Sequence, residues 1–243
     1  MRLIGLTHRL GEPIMALMTP LIKTVDAVLF DLDGTLVETD IDFPLMKRRM
    51  LELAAKEGID TQKLSSMDIL GIVDSACSTL ISWGLHESAE DFRMRAMNAL
   101  EEIELRHARD TRQIPFARDI IARLTQEGIK TGIVTRNCRK ASLISLQKAE
   151  IMPDVLVCRE DTVRHKPHPE PLLFALAMLR ARPESSVMVG DHLMDIEAGK
   201  AAGLKTVALL RDYRPADFFD DVKPDRLARS LQEVLCAIID CDS

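Results

Sequence analysis

The sequence predicts an α/β protein, a doubly wound parallel sheet with an α-helical cap domain inserted into it. Three observations carry that prediction. Five short runs rich in branched aliphatic residues recur along the chain, each continuously apolar rather than alternating, as strands buried on both faces are. Helical patterns that end in Gly or Pro separate the later runs, so the connections read as crossovers and the strands as parallel. The first run and the second are separated by the whole stretch from Phe30 to Ile129, far more chain than one crossover uses.

Taken in order, residues 1–24 are read as an N-terminal extension outside the fold. Arg2, Arg9 and Lys23 outnumber Glu12 there, as in a targeting peptide, but Pro13 and Pro20 interrupt the only apolar portion and no small-residue cleavage site follows. The core opens over 25–39 with the strand Ala27–Phe30. The insert occupies 40–111 and is helical throughout. Met46, Met50, Leu53 and Ala54 share one helix face, and Ile69, Ile72, Val73, Ala76 and Leu80 share another. Phe92, Ala96, Ala99, Leu100 and Ile103 make a third face behind Ser88, which is placed to cap that helix with Asp91 three residues on. The core resumes over 112–243. Ile120, Ile121 and Leu124 precede the stop at Gly128, and the strand Ile129–Val134 follows. Leu143, Ile144, Leu146 and Ala149 precede Pro153 and the strand Val155–Cys158. Leu172–Leu179 precedes Pro183 and the strand Val187–Gly190; Ile196–Ala202 precedes Gly203 and the strand Thr206–Leu210.

Composition narrows the function classes. At about 150 residues per domain, 243 residues lie between one domain and two, which suits a core with a smaller insert. A chain that is 47% hydrophobic with a net charge of −6 is neither a disordered acidic tail nor a basic nucleic-acid binder. The longest apolar run, Leu172 to Leu179, has 8 residues, against roughly 20 for a bilayer span, so no membrane partner is expected. The five cysteines, Cys77, Cys138, Cys158, Cys236 and Cys241, are scattered without a CxxC pair, which reads as a reduced, cytoplasmic chain. Monomer and homodimer are both compatible with this composition.

Ligands of doubly wound sheets gather beyond the carboxyl ends of the strands. The first strand ends in Asp31-Leu32-Asp33-Gly34-Thr35, with two carboxylates two residues apart that point the same way at an extended strand end. Asp-Gly alone is also a common turn. The strand ending at Gly190 continues into Asp191 and, one helical turn on, Asp195, which by itself would merely complement a helix dipole. Asp31, Asp33 and Asp191 together supply the oxygen-rich cluster that Mg2+ prefers, and no His or Cys set stands at zinc spacing. Thr135, Arg136 and Asn137 follow the second strand. There a hydroxyl and free backbone N–H groups at a helix start would suit phosphate, or simply cap the helix. Lys166 sits among Pro167, Pro169 and Pro171 in a loop those residues stiffen.

The set DxDGT, strand-terminal Thr, Lys-Pro and GDxxxD, in this order on successive strand ends, resembles the haloacid dehalogenase-like (HAD) hydrolase superfamily. It is most similar to the phosphatase branch with a helical cap after the first strand, the phosphoglycolate phosphatase-like type, and the resemblance covers about Val25 to Leu210. It implies a Rossmann-like core, Asp31 as nucleophile and Asp33 as general acid/base, with Thr135, Arg136, Asn137 and Lys166 around the phosphate. It also implies Mg2+ held by Asp31, Asp191, Asp195 and Asp33, the last through its backbone carbonyl, with Asp195 a ligand or a support. His165 and His168 match no required position and read as surface residues.

The function expected is Mg2+-dependent hydrolysis of a small phosphorylated metabolite through an aspartyl phosphate. A dianionic ester is repelled by a carboxylate nucleophile until cations neutralise it, so metal and Lys166 come first. A phosphosugar mutase shares every motif, and a phosphate-binding regulatory protein without turnover would keep the site. A haloacid dehalogenase needs neither Asp33 nor a metal, and a receiver module lacks a long insert. Specificity should reside on the cap, where Lys47, Arg48, Arg49, Arg93 and Arg95 are candidates to hold a second acidic group, although a solvated face suits most of them. The tract Thr39-Asp40-Ile41-Asp42-Phe43 reads as hinge and pocket edge.

Overall fold

The structure, a computed structural model, describes residues 20–240. From β1 (Ala27–Phe30) the chain passes through a short β2 (Val37–Glu38) into α1 (Phe43–Lys56), α2 (Ile69–Ser82) and α3 (His86–Ala108), and returns along β3 (Arg112–Gln113). Regular alternation follows: α4 (Ala117–Gln126), β4 (Lys130–Val134), α5 (Arg139–Lys148), β5 (Val155–Val157), α6 (Glu170–Leu179), β6 (Ser186–Gly190), α7 (Leu193–Ala201) and β7 (Lys205–Leu209). The described chain closes with β8 (Arg226–Ala228) and α8 (Leu231–Ile238).

Six of the strands form one parallel sheet in the order β5-β4-β1-β6-β7-β8. β1 lies inside it, with Phe30 level with Ile133 of β4 and Val189 of β6, so the residues just past these three strands emerge side by side. All four side chains of β1 are fully buried, which is why its pattern is apolar without alternation. One face packs Phe30, Ile133 and Val189 against α4 and α8; the other packs Leu29, Val134 and Met188 beneath α6 and α7. α1, α2 and α3 bury a separate cluster, with Met46 and Met50 against Leu80, Phe92 and Leu100. β2 and β3 pair antiparallel as a two-stranded stem where the chain leaves for these helices and comes back.

Five details depart from the sequence reading. β8 was not expected, because Arg226-Leu227-Ala228 is a short edge strand whose first two side chains reach solvent. Within the segment read as an extension, Leu21 and Ile22 pack on the core and the Leu21 N–H bonds the Ala237 carbonyl at 2.9 Å; residues 1–19 of that segment lie outside the described residues. α3 starts at His86, not behind Ser88, because Gly84 at φ +78° turns the chain and the Leu85 N–H closes on the Leu80 carbonyl. Leu143 is 52% exposed, while Ser142 and Ser145 face inward. α5 lies close against α3 and the β3 stem, and those hydroxyls are satisfied by the Cys138 carbonyl and by Thr111. Cys77, Cys138 and Cys158 are free and buried, but Cys236 is disulfide-bonded, so the chain is not the fully reduced one expected. Among the described residues no helix is long and apolar enough to cross a membrane.

Candidate active site

The carboxyl ends of β1, β4 and β6 open beneath α1, α2 and α3 into a cavity of about 900 Å3. Asp31 follows β1 directly, its N–H still paired with the Val189 carbonyl at 2.9 Å, so the sheet itself fixes its position. The chain then turns tightly: the N–H groups of Leu36 and Val37 both reach the Leu32 carbonyl, and Gly34 sits at φ +82°. A Cβ on Gly34 would fall 2.3 Å from an Asp191 carboxylate oxygen, so glycine is required there for conformation and for space. At the end of β6 a Cβ on Gly190 would fall 2.3 Å from that of Asp195, which is how Asp195 can lie over the strand end.

Lys166 joins these pieces. It is 3% exposed, and its Nζ donates to Asp31 Oδ1 at 2.5 Å, to Asp195 Oδ1 at 2.7 Å and to the Val134 carbonyl at 2.7 Å. All three of its donors are thus spent on groups from three different strand ends. Asp195 is held on its other oxygen by the His192 N–H at 3.1 Å. Asp191 accepts from Thr35 at 3.1 Å and from the Tyr213 hydroxyl at 3.3 Å. Asp33 turns elsewhere: its two oxygens accept from the Thr39 hydroxyl and, at 2.5 Å, from Asn137 Nδ2. The pair two residues apart therefore divides, Asp31 to the lysine and Asp33 to the hinge.

Environment separates the carboxylates further. Burial, then repulsion from Asp195, pushes Asp31 up to about 6 despite Lys166. Burial raises Asp33 to about 7 against the Thr39 hydrogen bond, with the Asp31 and Glu104 charges adding to it. Burial and the charges of Asp31 and Asp195 lift Asp191 to about 7. Burial opposes the charge on Lys166, but Asp195 and Asp31 outweigh it and hold its pKa above the ordinary lysine value. One carboxylate oxygen each from Asp31, Asp191 and Asp195 lie within 4.8 Å of one another. An all-oxygen donor set of this kind suits a hard divalent cation. The Asp33 carboxylate, engaged by Thr39 and Asn137, stands outside that set.

The loop after β4 differs from expectation. The N–H groups of Thr135, Asn137, Cys138 and Arg139 are not free but paired with the Val157 carbonyl, Thr135 Oγ1, Glu104 and Glu160. α5 begins only at Arg139, with Cys138 as its cap, so four residues intervene between strand and helix, and their donors are taken up by the loop and by carboxylates from other segments. Thr135 and Asn137 line the cavity. Arg136 also lines it, but its guanidinium is engaged by Asp68 at the start of α2 and by Met194 Sδ. His165 is half-buried rather than on the surface, its pKa lowered by burial and by Arg136. Of the basic candidates on the helical insert, Lys47 lines this cavity; Arg93 pairs with Asp74 and Arg95 with Glu57 and Asp91.

Two charged residues escaped the sequence reading. Glu104, 2% exposed, receives both terminal nitrogens of Arg159, at 2.5 and 3.1 Å. The signal was present: Phe92, Ala96, Leu100 and Glu104 stand four residues apart, so Glu104 lies on the buried stripe of α3.

Fold and site together define a hydrolase class in which strand-end carboxylates and one buried lysine meet beneath a helical cover. The chain belongs to the haloacid dehalogenase-like hydrolase family, whose model matches residues 28–209, and within it to the phosphatase branch. The pyrophosphatase PpaX of Bacillus cereus (strain B4264) is 30% identical over 221 residues, which cover 87% of this chain and 95% of that one. A HAD phosphatase from Thermococcus onnurineus superposes with a TM-score of 0.56 at 25% identity, covering 86% of this chain and 96% of the other. A hydrolase from Pseudomonas syringae gives a TM-score of 0.61 at 20% identity over 87% and 96% of the two chains, a likeness of fold.

Proposed function

We propose that this phosphatase-branch enzyme hydrolyses a small phosphomonoester through an aspartyl phosphate on Asp31, with Mg2+ as cofactor. The observation that carries the reading is the junction at Lys166: its Nζ bridges Asp31 and Asp195, and Asp191 completes an oxygen cluster with both. Asp31, Asp191 and Asp195 would hold the cation, with the Asp33 backbone carbonyl as a further donor. Bound there, Mg2+ would neutralise phosphoryl oxygens and so remove the repulsion that an anionic ester meets at a carboxylate.

The chain's own residues do the rest. The Lys166 charge draws the phosphoryl group to the floor of the cavity and the Thr135 hydroxyl orients it there. An Asp31 oxygen attacks phosphorus in line while the bond to the leaving oxygen breaks, and Asp33, protonated near neutrality, gives that oxygen its proton. Asp33 then takes a proton from water as the water oxygen attacks the aspartyl phosphate, which releases inorganic phosphate and restores the Asp31 carboxylate. Thr39 and Asn137 keep Asp33 turned away from Lys166, so the two acids hold different roles. α1, α2 and α3 cover the cavity and exclude bulk water. We read the substrate as a small phosphorylated metabolite and the protein as a cytoplasmic monomer or homodimer.

Phosphate release from an aryl phosphate, with Mg2+ and with EDTA, tests this on wild type and Asp31→Asn. Turnover should vanish in the variant and in EDTA; undiminished release in either refutes the mechanism. A panel of phosphoglycolate, sugar phosphates, nucleoside monophosphates and inorganic pyrophosphate, the last suggested by the Bacillus cereus relative, then identifies the leaving group.

A further inference from the structure

Among the described residues, Glu104 and Arg159 are the buried charges that the proposed reaction leaves without a role, and they grip one short loop from two sides. Arg159 follows β5; its backbone N–H donates to the Asn137 carbonyl at 3.1 Å and its Nη1 to the Arg136 carbonyl at 3.2 Å. Glu104 arrives from α3, on the helical cover, and its Oε2 takes the Cys138 N–H at 2.9 Å. Three consecutive residues, 136, 137 and 138, are therefore fastened at main-chain atoms. The ion pair between Glu104 and Arg159 locks the two fasteners to each other. The middle residue is Asn137, whose side chain reaches Asp33 at 2.5 Å.

We propose that Glu104 is a positioning residue for the acid/base step, acting through Arg159 and the Arg136–Cys138 loop to hold Asn137 against Asp33. A plain tie between cover and core would bury an ion pair anywhere along the contact. This one instead places its carboxylate on the N–H of the residue that follows Asn137, and its arginine on the two carbonyls before it. Gln at position 104 keeps the shape and one acceptor oxygen but cannot satisfy both Cys138 and a bidentate Arg159, so the loop loses a fastener. The cover thereby bears on the chemistry through a main-chain loop as well as by shielding it. The inference rests on the proposed role of Asp33.

A double-substitution cycle on kcat tests it, with p-nitrophenyl phosphate as substrate and Mg2+ present. Glu104→Gln should lower kcat about tenfold in the wild-type background, with a smaller change in KM. In an Asn137→Ala background it should lower kcat less than about twofold, because residues acting through one another are not additive. Equal losses in both backgrounds, or no loss in the first, overturn the proposal. Where Glu104→Gln fails to fold, Glu104→Met combined with Arg159→Met removes both charges together and leaves none unpaired; the cycle is read on that protein by the same criteria. Absence of turnover in the wild type would instead count against the proposed function, so the two failures are distinguishable.

Discussion

Replacing Lys166 by Met removes the cation that touches both Asp31 and Asp195, leaving a stem of similar length. Stripping one partner from a buried ion pair costs about 3–5 kcal/mol when the remaining charge stays buried and ionised. Here the remaining charges are carboxylates that can take up protons, so the cost depends on pH. In the wild type Asp31 is raised from 3.8 to about 6 and Asp191 from 3.8 to about 7. A raised carboxylate means that the folded state binds more protons than the unfolded one, so metal-free stability falls as pH rises from about 4 through about 7 and is flat above. Lys166 is itself raised and stays charged throughout, which limits that fall. Lys166→Met deepens it: at pH 8 and in EDTA the expected loss is about 3 kcal/mol, or roughly 6–12 °C in Tm for a chain of this size. At pH 5, with the acids protonated, most of the difference disappears. Thermal melts of both proteins across this range are the assay. A variant that melts with wild type at pH 8, or equally far below it at both pH values, refutes the electrostatic account of the cluster.

The same linkage predicts that Mg2+ raises the Tm of the wild type more at pH 8 than at pH 5.5, measured by thermal shift in metal-free buffer, since protons and cation compete for Asp31 and Asp191. Asp33→Asn should lower kcat on an aryl phosphate by roughly 10²–10⁴-fold, with the Mg2+-induced Tm shift retained. Gly190→Ala, small as it is, places a methyl 2.3 Å from the Asp195 Cβ; denaturant melts should show a loss of about 1–3 kcal/mol, together with most of the activity. Asp68→Asn removes the partly exposed partner of Arg136, so stability should change by less than about 1 kcal/mol while KM shifts and kcat holds in steady-state assays.

How much of this was legible in the sequence follows from what kind of signal each feature leaves. The four interior strands, the edge strand β5 and the residues just past them were legible, because buried strands leave an unbroken apolar run and the motif begins where the run stops. β8 was not: an edge strand beside β7 buries too little to need an apolar sequence. The face of α5 was misjudged at Leu143, since close helix contact selects serines whose hydroxyls are satisfied locally, and periodicity counts only apolar residues. Asp31, Asp33, Lys166 and Asp191 were nameable as candidates because they stand in short motifs. Glu104 and Arg159 were not, because they meet each other and the loop after β4 from distant chain segments, and only the folded contacts join them. The supposed free N–H groups after β4 failed for a related reason: capping and loop bonds spend donors before any ligand arrives.

The antiparallel pairing of Val37 with Gln113 and Glu38 with Arg112 has a bearing on how the chain folds. Paired strands stand about 5 Å apart, so the polypeptide between them begins and ends at nearly one point. For the sheet, forming β1 next to β4 then requires closing a short path through the stem instead of a wandering one of the full intervening length. Loop-closure entropy grows with the logarithm of length, so once the stem and the three helices have formed, further chain added between them would cost the sheet almost nothing. A cover of different size or shape could be accommodated at this junction while Asp31, at the end of β1, kept its place.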